Sequence, residues 1–313
     1  MRSAKYSGAG PASAVVAVID VPIPVPGPGE VVVAVAAAGL NPVDVKIRAA
    51  AVDFGPIRYT DRPGWDVAGT ISAVGPDVAG WSVGDRVFAL AGFPAAAHTL
   101  ADYAVVPVTD LALAPSAWTA AQAGAAPLAA LTAWNALEVA GVVAGQRVLI
   151  LGGAGGVGYL AVQLAKARGA QVIATASTAK HELVRSWGAD QVIDYRDEAS
   201  LAATAAVDAV IVTVNDTMPP RGAIAAGTAV VTITGFSDEQ TASIARWGAS
   251  PIRKILVAAS GPQLAEIAAL ADAGKLTVQL DSEYALEDLA AAQERVETGR
   301  VTGKVVVVID PQA

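Results

Sequence analysis

Gly153, Gly155 and Gly158 stand at a spacing suited to a phosphate-bearing ligand, with Ala154, Gly156 and Val157 completing the turn. Four apolar residues (148–151) lead into them. A helix-period run follows over 157–168, and a second apolar stretch over 172–176. Strand, glycine turn, helix and strand within about thirty residues are what a dinucleotide-binding βαβ unit requires. Glycine there permits the tight turn, the approach of backbone N–H groups to a pyrophosphate, and close packing of helix on strand. The chain has 30 glycines, so the flanking apolar runs, not the glycines alone, make this a site rather than a linker.

The end of the second strand bears on which dinucleotide is bound. NAD-preferring units place Asp or Glu there for the ribose 2′-hydroxyl. This chain has Ala176-Ser177 instead, followed by Thr178-Ala179-Lys180. A hydroxyl, helix-N-terminal amides and a lysine suit a 2′-phosphate, so NADP(H) is the expected cofactor. The plainer alternative makes Ser177 an N-cap and Lys180 a solvated charge. Tyr195 ends the third strand, placed either to meet the adenosine or to pack on the core. Asn215 and the Thr234-Gly235 turn close two further strands at the carboxyl edge of the sheet, where ligands of doubly wound folds sit.

Composition narrows the chemistry. A net charge of −8 with no basic run disfavours a nucleic-acid partner. Cysteine is absent, which removes disulfides, thiolate catalysis and thiolate-bound zinc. The two histidines, His98 and His181, fall in a loop and a helix and complete no plausible zinc set, so no metal is expected. Mean hydropathy is +0.49, yet the uncharged stretches are broken by proline and glycine. They read as parallel-sheet core rather than membrane spans, and the N-terminal residues show no signal-peptide pattern. A soluble, cytoplasmic protein is expected.

Positioning these residues takes two kinds of architecture. Up to about residue 115 the chain reads as short strands (14–20, 31–37, 67–74, 86–89, 103–106) divided by proline and glycine turns, a barrel-like β domain. From 117 onward helix and strand alternate. Helices are expected around a break at Pro127, near 180–187, 198–206 and Arg221, and over 262–273. Strands are expected at 191–195, 209–214, 229–234 and 252–258, giving an α/β doubly wound parallel sheet. A helix over 284–298 and a strand over 304–309 close the chain. Residues 1–116 with 276–313 are expected to form one domain and 117–275 the nucleotide domain.

Seven segments then identify the chain as resembling a known superfamily: GLNPVDVKIR (39–48), PGWDVAG (63–69), VGDRV (83–87), GGAGGVG (152–158), ATASTAK (174–180), GAD with IDY (188–195) and TGKVV (302–306). In order and spacing they are similar to the medium-chain dehydrogenase/reductase superfamily, in its zinc-independent quinone oxidoreductase branch, and within it to quinone and alkenal/enone oxidoreductases. The resemblance implies a GroES-like catalytic domain made from both chain ends, a Rossmann domain between them and a nicotinamide cleft where they meet. The His-Glu pair of zinc-dependent members reads Trp65-Asp66 here. Asn41 resembles the residue that contacts cofactor and acceptor. Lys46 holds a position that is tyrosine in many quinone oxidoreductases and lysine in the enone-reducing group; Asp44 completes this catalytic segment or forms a local ion pair with Lys46. Thr132 matches a threonine facing the nicotinamide, and Gly303-Lys304 a return segment reaching the cofactor. Tyr59 is a weaker proton-donor candidate, and His98 lies either in a surface loop or at the substrate mouth. Residues 252–258, from Ile252 through Ala258, match an edge strand that pairs subunits, implying a homodimer.

The implied function is NADPH-dependent, metal-free hydride transfer to a small-molecule acceptor, a quinone or α,β-unsaturated carbonyl. Without a Lewis acid, an acceptor that delocalises the incoming charge needs mainly positioning and a nearby donor. A pathway-specific enoyl or keto reductase, and a non-catalytic NADPH-binding sensor or structural protein, remain as alternatives.

Overall fold

The computed structural model describes residues 1–50 and 55–309. Strand β1 (Arg2–Tyr6) pairs antiparallel with β2 (Val16–Asp20), and a short turn of helix, α1 (Ala12–Val15), takes the first residues of the strand expected from 14. Strand β3 (Glu30–Leu40) is long, Val- and Ala-rich and almost wholly buried. It runs straight into α2 (Pro42–Ala50), a helix the strand pattern did not foretell. Strands β4 (Asp66–Val74), β5 (Arg86–Leu90), β6 (Tyr103–Pro107) and β7 (Leu111–Leu113) follow. Helix α3 (Ala120–Ala125) opens on a Thr119–Gln122 capping box, and Pro127 starts α4 (Pro127–Val139).

The nucleotide unit continues with β8 (Arg147–Leu151), α5 (Gly158–Ala167), β9 (Gln171–Thr175), α6 (His181–Ser186), β10 (Gln191–Ile193), α7 (Glu198–Ala202), β11 (Ala209–Val212), β12 (Ala229–Thr232), α8 (Asp238–Arg246) and β13 (Ile252–Lys254). The helix expected near Arg221 is one 3-10 turn. The strand expected over 252–258 stops at Lys254. The chain ends with α9 (Gly261–Asp272), β14 (Leu280–Ala285), α10 (Leu289–Glu297) and β15 (Lys304–Val308). Tyr284, expected on a helix, lies in β14 opposite Val307, and the helix starts only at Leu289.

Two compact units result, Met1–Leu131 with Ala258–Ala313, and Thr132–Val257. These limits differ from the expected 116/117 and 275/276, because α3 packs on β3 and β4 and α9 packs on β7. In the first unit a seven-stranded sheet runs β14-β15-β3-β4-β5-β7, with β6 also paired to β3. Its core gathers Val31, Val33, Val67, Ile71, Leu100, Val305 and Val307. In the second unit the order is β10-β9-β8-β11-β12-β13, and every pairing is parallel. That is the doubly wound order expected, with a Leu, Ile and Val core. Among the described residues no helix is long and apolar enough to cross a membrane.

Candidate functional site

In the first unit the polar centre lies where β3 passes into α2. Pro42 starts the helix, and Asp44 turns its carboxylate back so that Asn41 N–H donates to Oδ2 at 2.9 Å. This is the return half of a capping box, so the Asn-x-x-Asp spacing has a local cause in helix initiation. Asn41 is only 2 % exposed. Its Nδ2 donates to Asp66 Oδ2 at 2.8 Å, and its Oδ1 accepts from the Lys304 ammonium. Lys304 Nζ also donates to Leu40 O at 2.9 Å and lies 3.6 Å from Asp66 Oδ2. The backbone N–H of Leu128 donates to Asp66 Oδ1 at 2.7 Å. Gly39 makes room for this: a Cβ there would sit 2.7 Å from Asp66 Oδ2 and 2.8 Å from Gly124 O.

Two carboxylates and one ammonium, all buried, perturb one another. Burial pushes Asp44 up to about 7, countered by the Asn41 N–H and reinforced by Asp66. Burial likewise lifts Asp66 to about 6, against the pull of Lys304. Lys304 is lowered by its burial and held up by the two carboxylates. Among the described residues Asp44 Oδ1 makes no hydrogen bond; the Gly64 amide is a backbone group that faces it.

The structure therefore joins Asn41, Asp44 and Lys304 and adds Asp66, which the sequence marked only as standing in place of a His-Glu pair. Lys46 is exposed on α2. Lys304, expected to reach a cofactor, spends its ammonium inside this cluster, next to Gly303 with its left-handed backbone (φ 78°). Tyr59 is half-buried; of the loop expected to wall the acceptor, residues 51–54 lie outside the described residues. His98 adopts a left-handed backbone with Nε2 3.3 Å from Thr60 Oγ1, and burial lowers its pKa.

This cluster does not fit zinc. Both oxygens of Asp66 are engaged, and an ammonium already occupies the space beside it. Trp65 Nε1 donates to Ala95 O at 2.7 Å. Among the described residues no group of three His, Asp or Glu could hold a metal ion.

In the second unit the glycine corner joins β8 to α5. Gly152 N donates to Thr175 Oγ1 at 3.0 Å and Gly153 N to Thr175 O at 2.8 Å, pinning the loop to the end of β9. A methyl group at Gly158 would overlap the Gly152 carbonyl, so the helix can begin this close only with glycine. Gly155 looks outward, with Gly152 O 3.4 Å from where its Cβ would be. Val157 caps α5 with no side-chain hydrogen bond, and within the first turn the Tyr159 amide donates to Gly155 O at 3.2 Å. The corner, with Ala154 and Gly156, fits a dinucleotide pyrophosphate.

Around it lie the other expected contacts. Ser177 precedes a 3-10 turn, Thr178–Lys180, without a side-chain cap. Tyr195 is 51 % exposed, so it does not pack on the core; the Arg196 guanidinium lies 4.8 Å over its ring and donates to its hydroxyl at 2.9 Å. Asn215 is exposed beyond β11, and Thr213 and Val214 border Gly152. Thr232 Oγ1 accepts from the amides of Thr234 (3.2 Å) and Gly235 (3.0 Å), forming that turn. Thr132 is buried on α4. Asp194 was missed: Thr178 N donates to its Oδ2 and Arg196 N to its Oδ1, both at 2.9 Å. The Thr178 hydroxyl, the Arg196 amide and the Thr178 amide hold its pKa down at about 2. A carboxylate does stand near the end of β9, then, with both oxygens engaged; its origin just past the next strand kept it out of the expected position.

Comparison with known proteins bears on the family and the fold. The family described as alcohol dehydrogenase GroES-like domain matches residues 27–116, and that described as zinc-binding dehydrogenase matches 187–307. The chain is 36 % identical to 2-methylene-furan-3-one reductase of Solanum lycopersicum, over 86 % of this chain and 69 % of that one. It is 37 % identical to the chloroplastic NADPH-dependent alkenal/one oxidoreductase of Arabidopsis thaliana, with the same shares covered. Among solved structures, the quinone oxidoreductase from Coxiella burnetii superposes with a TM-score of 0.88 at 30 % identity, covering 99 % of both chains.

Proposed function

This chain belongs to the medium-chain dehydrogenase/reductase superfamily, and from that premise we propose an NADPH-dependent reductase of quinones or α,β-unsaturated carbonyl compounds. The observation that carries the reading is the glycine corner between β8 and α5, pinned to β9 and followed by the Ser177–Lys180 turn. The acceptor class is supported by the relatives, whose names specify a furanone reductase, an alkenal/one oxidoreductase and a quinone oxidoreductase.

Bound NADPH supplies the hydride. The chain's own residues bind, orient and meet charge. The amides of Ala154, Gly156 and Val157 hold the pyrophosphate, with Gly153 and Gly155 shaping the turn through their own bonds to Thr175 O and Gly152 O; Ser177 and Lys180 hold the 2′-phosphate, and Tyr195 the adenosine. Asn215, Thr234, Gly235 and Thr132 serve the nicotinamide half. Asn41 donates a hydrogen bond on the acceptor side. Lys46, an exposed ammonium on α2, stabilises the negative charge that grows on a quinone or enone oxygen. Asp44 holds the turn from which both project, and water provides the product's proton. The same reading includes a homodimer through the sheet edge at β13.

A panel of one 1,2-quinone, one 1,4-quinone, an alkenal and a cyclic enone, each with NADPH and with NADH, tests this. Turnover of at least one acceptor is expected, with NADPH bound more tightly than NADH. A Lys46→Ala variant should lose about 10- to 100-fold in kcat. Intact NADPH binding without turnover of any acceptor would sink the enzyme reading, and equal affinity for NADH would remove Ser177 and Lys180 as selectors.

A further inference from the structure

We propose that Asp66 is a positioning residue: together with Lys304 it fixes which way the Asn41 carboxamide faces, so that Asn41 offers an N–H donor and never a carbonyl to an acceptor oxygen. This rests on the reading of Asn41 as an acceptor-side contact.

The two ends of a carboxamide have almost the same shape, so only hydrogen bonding decides between its two orientations. Here Nδ2 faces a carboxylate oxygen at 2.8 Å and Oδ1 faces an ammonium. Turning the amide over would set oxygen against carboxylate and NH2 against ammonium, at a residue only 2 % exposed. One Nδ2 hydrogen is used by Asp66 and Oδ1 is used by Lys304. The remaining Nδ2–H is what the residue can offer, and a donor is what an oxygen gaining negative charge requires.

Asp66 can do this because it is itself fixed. Its Oδ1 receives the Leu128 N–H at the start of α4, and its backbone pairs with Leu90 across β5. The charged groups facing it are Lys304 from β15 and Asp44 from α2. The ionised form fixes it most firmly, since a protonated Asp66 can donate a hydrogen bond to the reversed amide's oxygen and leaves Lys304 alone to oppose reversal. Burial raises Asp66 to about 6, which places the change within an assayable range.

The test is the pH profile of Asp66→Asn against wild type, with an acceptor the wild type reduces. In wild type, kcat should rise with pH through an acid limb near 6. In Asp66→Asn it should fall by about 30-fold or more, the limb should vanish, and NADPH affinity by calorimetry should stay within about threefold. The variant leaves Lys304 without its nearest counter-ion, so Asp66→Asn/Lys304→Met, which removes both charges, is made alongside as the folding control, with the same loss expected. A folded variant with near-wild-type kcat, or one keeping the acid limb, overturns the proposal. If the wild type reduces no acceptor, the functional reading fails by itself. Asp66 is then judged by exchange of the Asn41 side-chain amide protons: slow in wild type and fast in the variant if Asp66 fixes them, equal in both if it does not.

Discussion

Asp44 caps a helix with a carboxylate that has no access to water. It accepts the Asn41 N–H with the Gly64 amide also facing it, and Asp66 and Lys304 leave the cluster with one carboxylate too many for neutrality. Its folded pKa, raised from 3.8 to about 7, lies above the unfolded one. The folded state therefore holds this proton more tightly, so Asp44's contribution to stability is greatest in acid and declines as pH rises from about 4 to about 7. Asp44→Asn should flatten that decline and gain on the order of 1–3 kcal/mol relative to wild type at pH 8. Urea unfolding at several pH values measures it; a slope unchanged from wild type would contradict the assignment. None of this was legible in the sequence. Asn-x-x-Asp could be recognised, but that its carboxylate caps the helix and shares a dry site with Asp66 depends on β4 and β15 arriving from elsewhere in the chain.

At the scale of elements, α2 is anchored by Arg48. Its side chain is fully buried, with Nη1 donating to Gly10 O and Nη2 to Glu297 Oε1 on α10. Beside it Gln293 of α10 donates to the Tyr6 hydroxyl at 2.5 Å. Glu297 is exposed and can be solvated, but removing the buried Arg48 side chain leaves a cavity and takes the donor from Gly10 O, so Arg48→Ala should destabilise by about 2 kcal/mol. The denaturation midpoint would fall with its slope unchanged, whereas a shift under about 0.5 kcal/mol would assign Arg48 no anchoring role. Elements were legible where the apolar period was strong, as in β8, α5, β11 and β12. They failed where it was weak or overridden. Helix α8 is polar, although its Ser237–Gln240 capping box was a readable signal. Tyr284 fits the helical stripe of Leu286 and Leu289, yet pairing with β15 draws it into β14.

At the scale of the molecule, β13 ends the second unit's sheet and pairs only with β12 among the described strands. Arg253 and Lys254 on it are both exposed, and beyond it Leu256 is 50 % exposed. An open edge with an apolar neighbour is a pairing surface. Light scattering should give about twice the chain mass of 31.3 kDa, with Leu256→Asp shifting it toward the monomer. A wild type at the single-chain mass throughout the micromolar range would end the dimer proposal.

By itself the sequence determined the doubly wound sheet, the glycine corner and the superfamily, because these depend on local period and on backbone geometry that only glycine allows. Tertiary structure decided the polar centre. Asn41 with Asp44, Asp66 and Lys304 come from three separate elements (α2 with its cap, β4 and β15), and burial alone turns an ordinary lysine and two ordinary carboxylates into a coupled cluster. It decided as well that Asp194, just past the neighbouring strand β10, stands beside the turn where the second strand offered no carboxylate. Pairings of this kind have no period to read, since they arise only when distant strands close on one another and exclude the water that would have kept each charge independent.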